Sequence, residues 1–501
     1  MIPYKTLINI NRGGRQAIYI QIANRLIELI KYRKLPPNTK LPGSRILSEL
    51  LGVHRKTVVA AYEELTIQGW LISLPQKGTF VNAHLPILKQ ASLVGESIRK
   101  NLTSSGFEFK RNVSLDRKFP QTCEDTYMYV NDGISDGRLA PINDIALIYR
   151  NLVSKKHITA HLAYGTTYGN QTLREELVTY LNETRGLNIG IDNIMITRGS
   201  QMGMFLAAQL LFEDNDYVVV GHTNYSSADT TFEIARAKVL RVRVDKRGLV
   251  IDDIRKCCET HNVKAVFTTS HHHHPTTVTL SADRRLELLN LAKTYKFAIV
   301  EDDYDYDFHY NHAPILPLAS HDLNGHVIYV GSICKTVAPV YRVGYLVASK
   351  SFVDECAKLR RFVDRQGDAL LELTFAKFIK AGYLDRHIKK VLKVYIARRD
   401  LFCSLLETEL SDFFSFELPK GGMAVWVTLN KAYSWETVTQ EALKQKLLIV
   451  EWQRYDMANI NHNAIRMGFA AYDETEIHEF MKRLKKTMIE VSRLNGALAK
   501  G

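Results

Sequence analysis

The 501-residue sequence is poor in cysteine, and its six cysteines form neither a CxxC pair nor a metal-ligating spacing. This argues for a reduced, cytoplasmic protein rather than a disulfide-stapled secreted one. Long apolar runs are missing too; none could span a bilayer, so no membrane partner is expected. The opening residues Met1-Ile-Pro-Tyr-Lys lack the charged-then-apolar pattern of a signal peptide. Acidic residues are scarce in one place. Residues 1–82 hold twelve Lys/Arg against four Asp/Glu, so eight of the thirteen net positive charges sit in the first sixth of the chain. A basic end on a nearly neutral body suggests a nucleic-acid-binding segment joined to a globular domain. The length predicts two or three domains.

Within the basic segment, Ile18, Ile22, Leu26, Leu29 and Ile30 recur on one helical face, predicting a helix from Ala17 to about Arg33. Pro36-Pro37 ends it. Ser44 opens a short helix over 45–51, stopped by Gly52, and a third helix is expected from Arg55 to Gln68. Two short strands, 70–74 and 79–81, flank a turn at 75–78 and make a wing. The pattern is that of a winged helix-turn-helix, whose third helix enters the major groove by its amino end. His54, Arg55, Lys56 and Thr57 stand at that end, with Arg45 and the wing's Lys77 placed for the flanking phosphates. A three-helix packing module with solvated charges is the plainer reading, and the charge concentration and the wing weigh against it.

Residues 83–126 carry Ser, Lys, Asn and Gly with no sustained period and read as a linker. Beyond them, helical patterns (173–185, 202–212, 283–295) alternate with short apolar strands (194–197, 217–220, 265–268, 297–300, 327–330). Such alternation specifies an α/β fold with a mostly parallel sheet, in which ligands bind at the carboxyl ends of strands.

Chemistry-bearing residues gather at those ends. Tyr329 to Tyr345 reads as strand, tight loop and return strand, with Lys335 in the loop and Arg342 expected on the return strand. A lysine held at a buried strand end can lose its proton and attack a carbonyl. Gly199-Ser200-Gln201 opens a helix, a natural phosphate seat. Tyr225 follows another strand and could stack on a flat ring. Glu301-Asp302-Asp303-Tyr304 supplies buried carboxylates that need a cationic partner. Taken singly, each reads as an ordinary cap, loop aromatic or strand-top lysine. The alternating Asp303, Asp305 and Asp307 lack the glycine turn and distal glutamate of a calcium loop, and no metal site is expected. Together the set suits pyridoxal 5′-phosphate, whose protonated ring is an electron sink.

Two resemblances sharpen this. Tyr19-x-Gln21, Leu41-Pro-Gly-Ser-Arg45, Leu51-Gly-Val53, Thr57-Val-Val-x-Ala-Tyr62, Gly69 and Gly78-Thr-Phe-Val81 resemble the GntR family of bacterial regulators, which implies a DNA-binding domain at 15–82. The body resembles a fold-type-I, class I/II aminotransferase domain over 127–497, with 83–126 as linker. Its motifs are Tyr164-Gly165, Gly169, Leu173-Arg174, Gly199-Ser-Gln201, Pro275-Thr-Thr-Val-Thr-Leu-Ser281 with Arg284-Arg285, Glu301-Asp-Asp-Tyr304, Ser332-x-x-Lys335, Ala338-Pro339, Arg342-x-Gly344 and Arg466-x-Gly468-Phe469-Ala470. A head and body of these kinds resemble the MocR/GabR subgroup of transcriptional regulators.

The resemblance implies that Lys335 carries the cofactor as a Schiff base, Asp302 pairs with the ring nitrogen and Tyr304 with the ring hydroxyl. Ser200, Gln201, Ser332 and Arg342 would hold the phosphate, with Tyr164 reaching it from the other subunit. Tyr225 would stack on the ring, His274 would line the cofactor, and Arg466 would clamp the carboxylate of an amino acid. Departures from the family pattern are Cys334 before the lysine, Ser227 where GABA-responsive members carry a second arginine, and the run His271 to His274. A cytoplasmic, domain-swapped homodimer is implied, with an operator DNA and an amine, amino-acid or vitamin effector as partners. The alternative is a working aminotransferase with an accessory head.

Overall fold

The computed structural model describes residues 2–85, 107–108, 126–310, 315–333, 335–449, 452–455 and 457–498. The chain divides into two compact units, Met1–Lys110 and Arg111–Gly501. Most of the 83–126 segment read as a linker, and Cys334, lie outside the described residues.

The first unit is a winged helix-turn-helix. Helices α1 (Ile18–Lys31), α2 (Ser44–Leu51) and α3 (Arg55–Ile67) precede strands β1 (Leu71–Leu74) and β2 (Gly78–Val81). The strands pair antiparallel from Leu71↔Val81 to Leu74↔Gly78. Ile22, Leu26, Leu47, Val58, Leu65, Leu71 and Val81 close a single core, so each element buries the apolar face its periodicity foretold. Gly52, at φ +62°, ends α2 in the left-handed conformation that glycine adopts without strain. His54 caps α3, its Nδ1 accepting from the Lys56 amide at 3.2 Å. That fixes the start of the helix at Arg55, although histidine is not among the favoured cap residues.

The second unit is built on a seven-stranded sheet. Its strands are β3 (Ile194–Thr197), β4 (Tyr217–Gly221), β5 (Lys238–Val242), β6 (Val263–Thr268), β7 (Ala298–Asp303), β8 (Val327–Ser332) and β9 (Gly344–Val347). They lie in the order β3-β9-β8-β7-β6-β4-β5. All run parallel except β9, which is antiparallel to both β8 and β3. Successive residues face opposite sides. Ile194, Ile196, Ile299 and Tyr329 join one core and Met195, Val300, Ile328 and Val330 the other. Both faces are covered, which is why these strands read as unbroken apolar runs.

Two expectations need correcting. The strand expected over 297–300 continues through Asp303, because parallel pairing persists as Glu301↔Tyr329, Asp302↔Val330 and Asp303↔Gly331. The carboxylates therefore belong to the strand's last turns and not to the loop after it. Arg342 is not on the return strand, which begins at Gly344; it ends a short 3-10 turn, Pro339–Tyr341, at φ +52°. A non-glycine residue in that region carries strain, which argues that its side chain is held there by something.

A smaller three-stranded sheet, β10 (Phe414–Phe416), β11 (Ala424–Leu429) and β12 (Ala464–Gly468), is ordered β10-β11-β12. It shares a core with helices Tyr383–Leu410 and Glu474–Leu498, through Phe402, Leu406, Val425, Met467, Phe480 and Leu484. Arg466 sits mid-strand in β12, opposite Trp426. Among the described residues, no helix is long and apolar enough to cross a membrane.

Candidate functional site

In the first unit the basic residues lie at the amino ends of α2 and α3 and between the wing's strands. Arg45, Arg55, Lys56 and Lys77 are exposed and Thr57 is half-buried. Arg55 Nε donates to Ser44 Oγ at 3.2 Å, tying the first residues of α2 and α3 together. The amino ends of both helices thus carry exposed cations, a surface suited to phosphate oxygens.

In the second unit, six of the sequence-predicted residues line one cavity of about 420 Å³: Ser200, Tyr225, His274, Asp302, Tyr304 and Lys335. A larger groove of about 600 Å³, between Val244–Lys246 and Ser415–Lys420, contains none of them. Lys335 Nζ donates to the Gly133 carbonyl at 3.2 Å and lies 5.3 Å from the centre of the Tyr304 ring. Burial pushes its ammonium below the ordinary lysine value; Asp132 and the other nearby carboxylates offset this only in part. The amine is therefore readily freed of its proton, as nucleophilic attack requires.

Asp302 is only 3% exposed, and among the described residues its Oδ1 has no hydrogen-bond partner. Burial, reinforced by the neighbouring Asp303, pushes its carboxyl up to about 7. The adjacent strand carboxylate behaves oppositely. Burial acts against the charge of Asp303, but His271, Arg185 and the Tyr329 hydroxyl, which donates at 2.6 Å, hold it well below the usual range. The Lys335 ammonium and the Ser200 hydroxyl favour the charged form of Asp302 without outweighing its burial, and a protonated ring nitrogen in the cavity would add a second cation.

The residues expected at a phosphate surround one turn. Helix α4 (Ser200–Leu211) starts after Gly199, whose φ of +75° turns the backbone into the helix. The Arg342 guanidinium lies against this turn: a Cβ on Gly199 would come within 2.8 Å of it. Its Nη2 donates to the Arg198 carbonyl at 2.8 Å, which accounts for the left-handed backbone of Arg342. Ser332 pairs with Gly344, which itself abuts Gly199. Gln201 is turned aside and donates to Thr231 Oγ1 at 2.6 Å. Tyr164 does not reach the cavity of its own chain; it is 77% exposed beneath the Arg365 guanidinium.

The four consecutive histidines diverge. His271 contacts the Ile315 carbonyl, His272 pairs with Asp305 at 2.9 Å and His273 with Thr276 at 2.9 Å. Of the run, His274 alone lines the cavity; a cis bond joins it to Pro275, and its ring lies 5.2 Å from that of Tyr225.

Arg466 is 2% exposed and engaged on every side. Nε donates to the Asp132 backbone carbonyl at 3.3 Å, Nη1 to the Pro275 carbonyl at 3.0 Å and Nη2 to the Tyr304 hydroxyl at 3.3 Å. Sequence reasoning missed its neighbours. Asp132, Arg454 and Tyr455 line the same cavity, and Asp132 pairs with His274, Arg454 and Arg466 at 3.0, 3.2 and 3.5 Å. Nothing in Asn131-Asp132-Gly133 marks a site locally; the chain must fold before Asp132 meets residues more than 300 positions away. The cavity can hold a flat ring compound carrying a phosphate, a protonated nitrogen and a carbonyl.

Residues 153–484 match the family described as aminotransferase class I and II, and residues 18–81 match the gntR family of bacterial regulatory proteins. An aromatic-amino-acid aminotransferase of Thermococcus litoralis is 30% identical over 70% of this chain and 85% of its own. The probable rhizopine catabolism regulatory protein MocR of Rhizobium meliloti is 24% identical over 98% of both chains. The transcriptional regulator TauR of Rhodobacter capsulatus is 27% identical over 95% of this chain and 97% of its own. Among solved structures, the kynurenine aminotransferase of Pyrococcus horikoshii aligns with a TM-score of 0.68 at 29% identity, covering 73% of this chain and 91% of its own.

Proposed function

This chain belongs to the class I and II aminotransferase family and carries a gntR-family head, and from that premise we propose that it is a DNA-binding transcriptional regulator of the MocR kind. It holds pyridoxal 5′-phosphate through Lys335 and senses a small amine or amino acid, or the vitamin itself. The observation that carries this reading is Asp302: a buried carboxylate with an unpartnered oxygen, in the same cavity as a lysine pushed toward its neutral form.

When bound, the cofactor supplies a carbonyl conjugated to an electron-withdrawing ring. Lys335 holds the carbonyl carbon, Asp302 the ring nitrogen and Tyr304 the ring hydroxyl. Tyr225 and His274 would line the space that takes the ring. Ser200, Ser332 and Arg342 grip the phosphate, with Gln201 beside them in the helix start. The exposure of Tyr164 and of Phe362, 77% and 86%, supports a second copy covering them, and the protein works as a homodimer in the cytoplasm. Arg55, Lys56 and Thr57 meet the operator's major groove, and Arg45 and Lys77 its phosphates.

The test takes duplexes that the wild-type protein selects from a random-sequence pool. Arg55→Ala with Lys56→Ala is expected to abolish specific binding and leave the visible cofactor band intact; retention of specific binding overturns the assignment of the head.

A second reading, a working aminotransferase, is favoured by Lys335 and Arg466 both meeting Tyr304, the first over its ring and the second at its hydroxyl. It predicts repeated turnover of an amine donor with a keto acid, lost in Lys335→Ala. A single equivalent of product that does not recur would leave the sensor.

A further inference from the structure

The cavity that Lys335 and Asp302 share is closed on one side by Asp132, and this carboxylate has more partners than packing alone would give it. Oδ2 lies 3.0 Å from His274 Nε2 and 3.2 Å from Arg454 Nη2. Oδ1 accepts from the Tyr455 hydroxyl at 3.0 Å and stands 3.5 Å from Arg466 Nε. Both oxygens are committed, to two guanidinium groups, an imidazole and a phenol. The Asp132 backbone carbonyl takes Arg466 Nε as well, and the other arms of that guanidinium serve Pro275 and Tyr304. Arg466, the residue whose expected partner is a ligand's carboxylate, already has a carboxylate of the chain's own.

We propose that Asp132 is the specificity-determining residue of this cavity: it occupies on Arg466 and Arg454 the place of a ligand carboxylate, so that the site selects a primary amine bearing no carboxylate beside its amino group. An incoming α-carboxylate would meet Asp132 as a like charge. To reach Arg466 it would have to separate Asp132 from four partners at once. A cationic amine meets the opposite situation. The negative field of Asp132 reaches Lys335, where it is the strongest influence opposing burial, and the ligand's nitrogen must arrive at that same point. One charge therefore attracts the amine and repels the acid.

The inference rests on the reading above, in which the cofactor-bearing cavity takes up an amine, and its test separates the two. Cofactor-loaded, full-length protein is titrated calorimetrically with pairs that differ by one carboxylate: cadaverine against lysine and tyramine against tyrosine. The visible cofactor band is recorded on the same samples. The decarboxylated partner is expected to bind at least about tenfold more tightly in both pairs, a difference that a full charge clash readily supplies. In Asp132→Asn, which keeps the shape and removes the charge, lysine and tyrosine should gain about tenfold or more while the amines lose. A merely structural role would weaken both members of a pair alike. Equal or tighter binding of the amino acids by the wild type overturns the inference, and that comparison needs no variant to fold. A selectivity ratio unchanged in Asp132→Asn overturns it as well. A loaded protein that takes up neither class overturns the selectivity alone, whereas a wild-type protein with no cofactor band brings down the reading beneath it.

Discussion

At the scale of single residues, the functional unit is a set of ionisable groups whose surroundings drive them apart. Asp302 and Asp303 are neighbours on one strand, yet burial raises the first to about 7 while His271 and Arg185 keep the second charged. In protein stripped of cofactor, this makes stability pH-dependent. With a folded value above the ordinary 3.8, Asp302 keeps in the folded state a proton that the unfolded chain has already lost. Stability is therefore full below pH ~4 and falls as pH rises toward 7. The loss at neutral pH is on the order of 4 kcal/mol. Urea unfolding of cofactor-free Asp302→Asn should show no such loss, so the variant should match the wild type near pH 4 and exceed it near pH 8. Wild-type and variant curves that run parallel across this range would remove the unpaired charge from the account.

At the scale of elements, the site depends on how closely the turn before α4 packs on the strand pair β8–β9. A Cβ on Gly344 would lie 2.6 Å from the Gly199 carbonyl carbon and 2.9 Å from the Gly331 oxygen, all backbone and unable to swing aside. Gly344→Ala should cost about 1–3 kcal/mol of stability. Because Gly199 seats both Ser200 and the Arg342 guanidinium, it should also weaken retention of the cofactor's phosphate, measured as cofactor loss on dialysis. The sequence disclosed this element well: β3 was legible to the residue, because a sheet covered on both faces writes an unbroken apolar run with sharp ends. Less legible was anything set by hydrogen-bond continuation or by chain reversal. The extension of β7 through Asp303 comes from pairing with β8, and the left-handed Arg342 comes from the turn it grips. Neither leaves a local pattern. Asp132 was invisible for the same reason, since its meaning lies in Arg454 and Arg466.

At the scale of the molecule, two units with separate cores divide the work. The head closes its own core through residues of α1, α2, α3 and the wing. Arg45→Ala with Lys77→Ala should therefore lower the slope of log binding constant against log salt by about 2 for each engaged head, one per lost phosphate neutralisation. Thermal unfolding of the body, followed through its cofactor band, should not move. A shift in that transition would mean the units are energetically coupled.

The order of the two units along the chain also sets a timetable. The head's last strand ends at Val81, whereas β12, which brings Arg466 against Asp132 and Tyr304, closes only at Gly468. At about 5–20 residues per second, a ribosome needs roughly 20–80 s to make what lies between. For that interval each newborn molecule owns a finished winged helix-turn-helix head and an unfinished aminotransferase-like body, and a chain broken off before β12 would keep that condition for good.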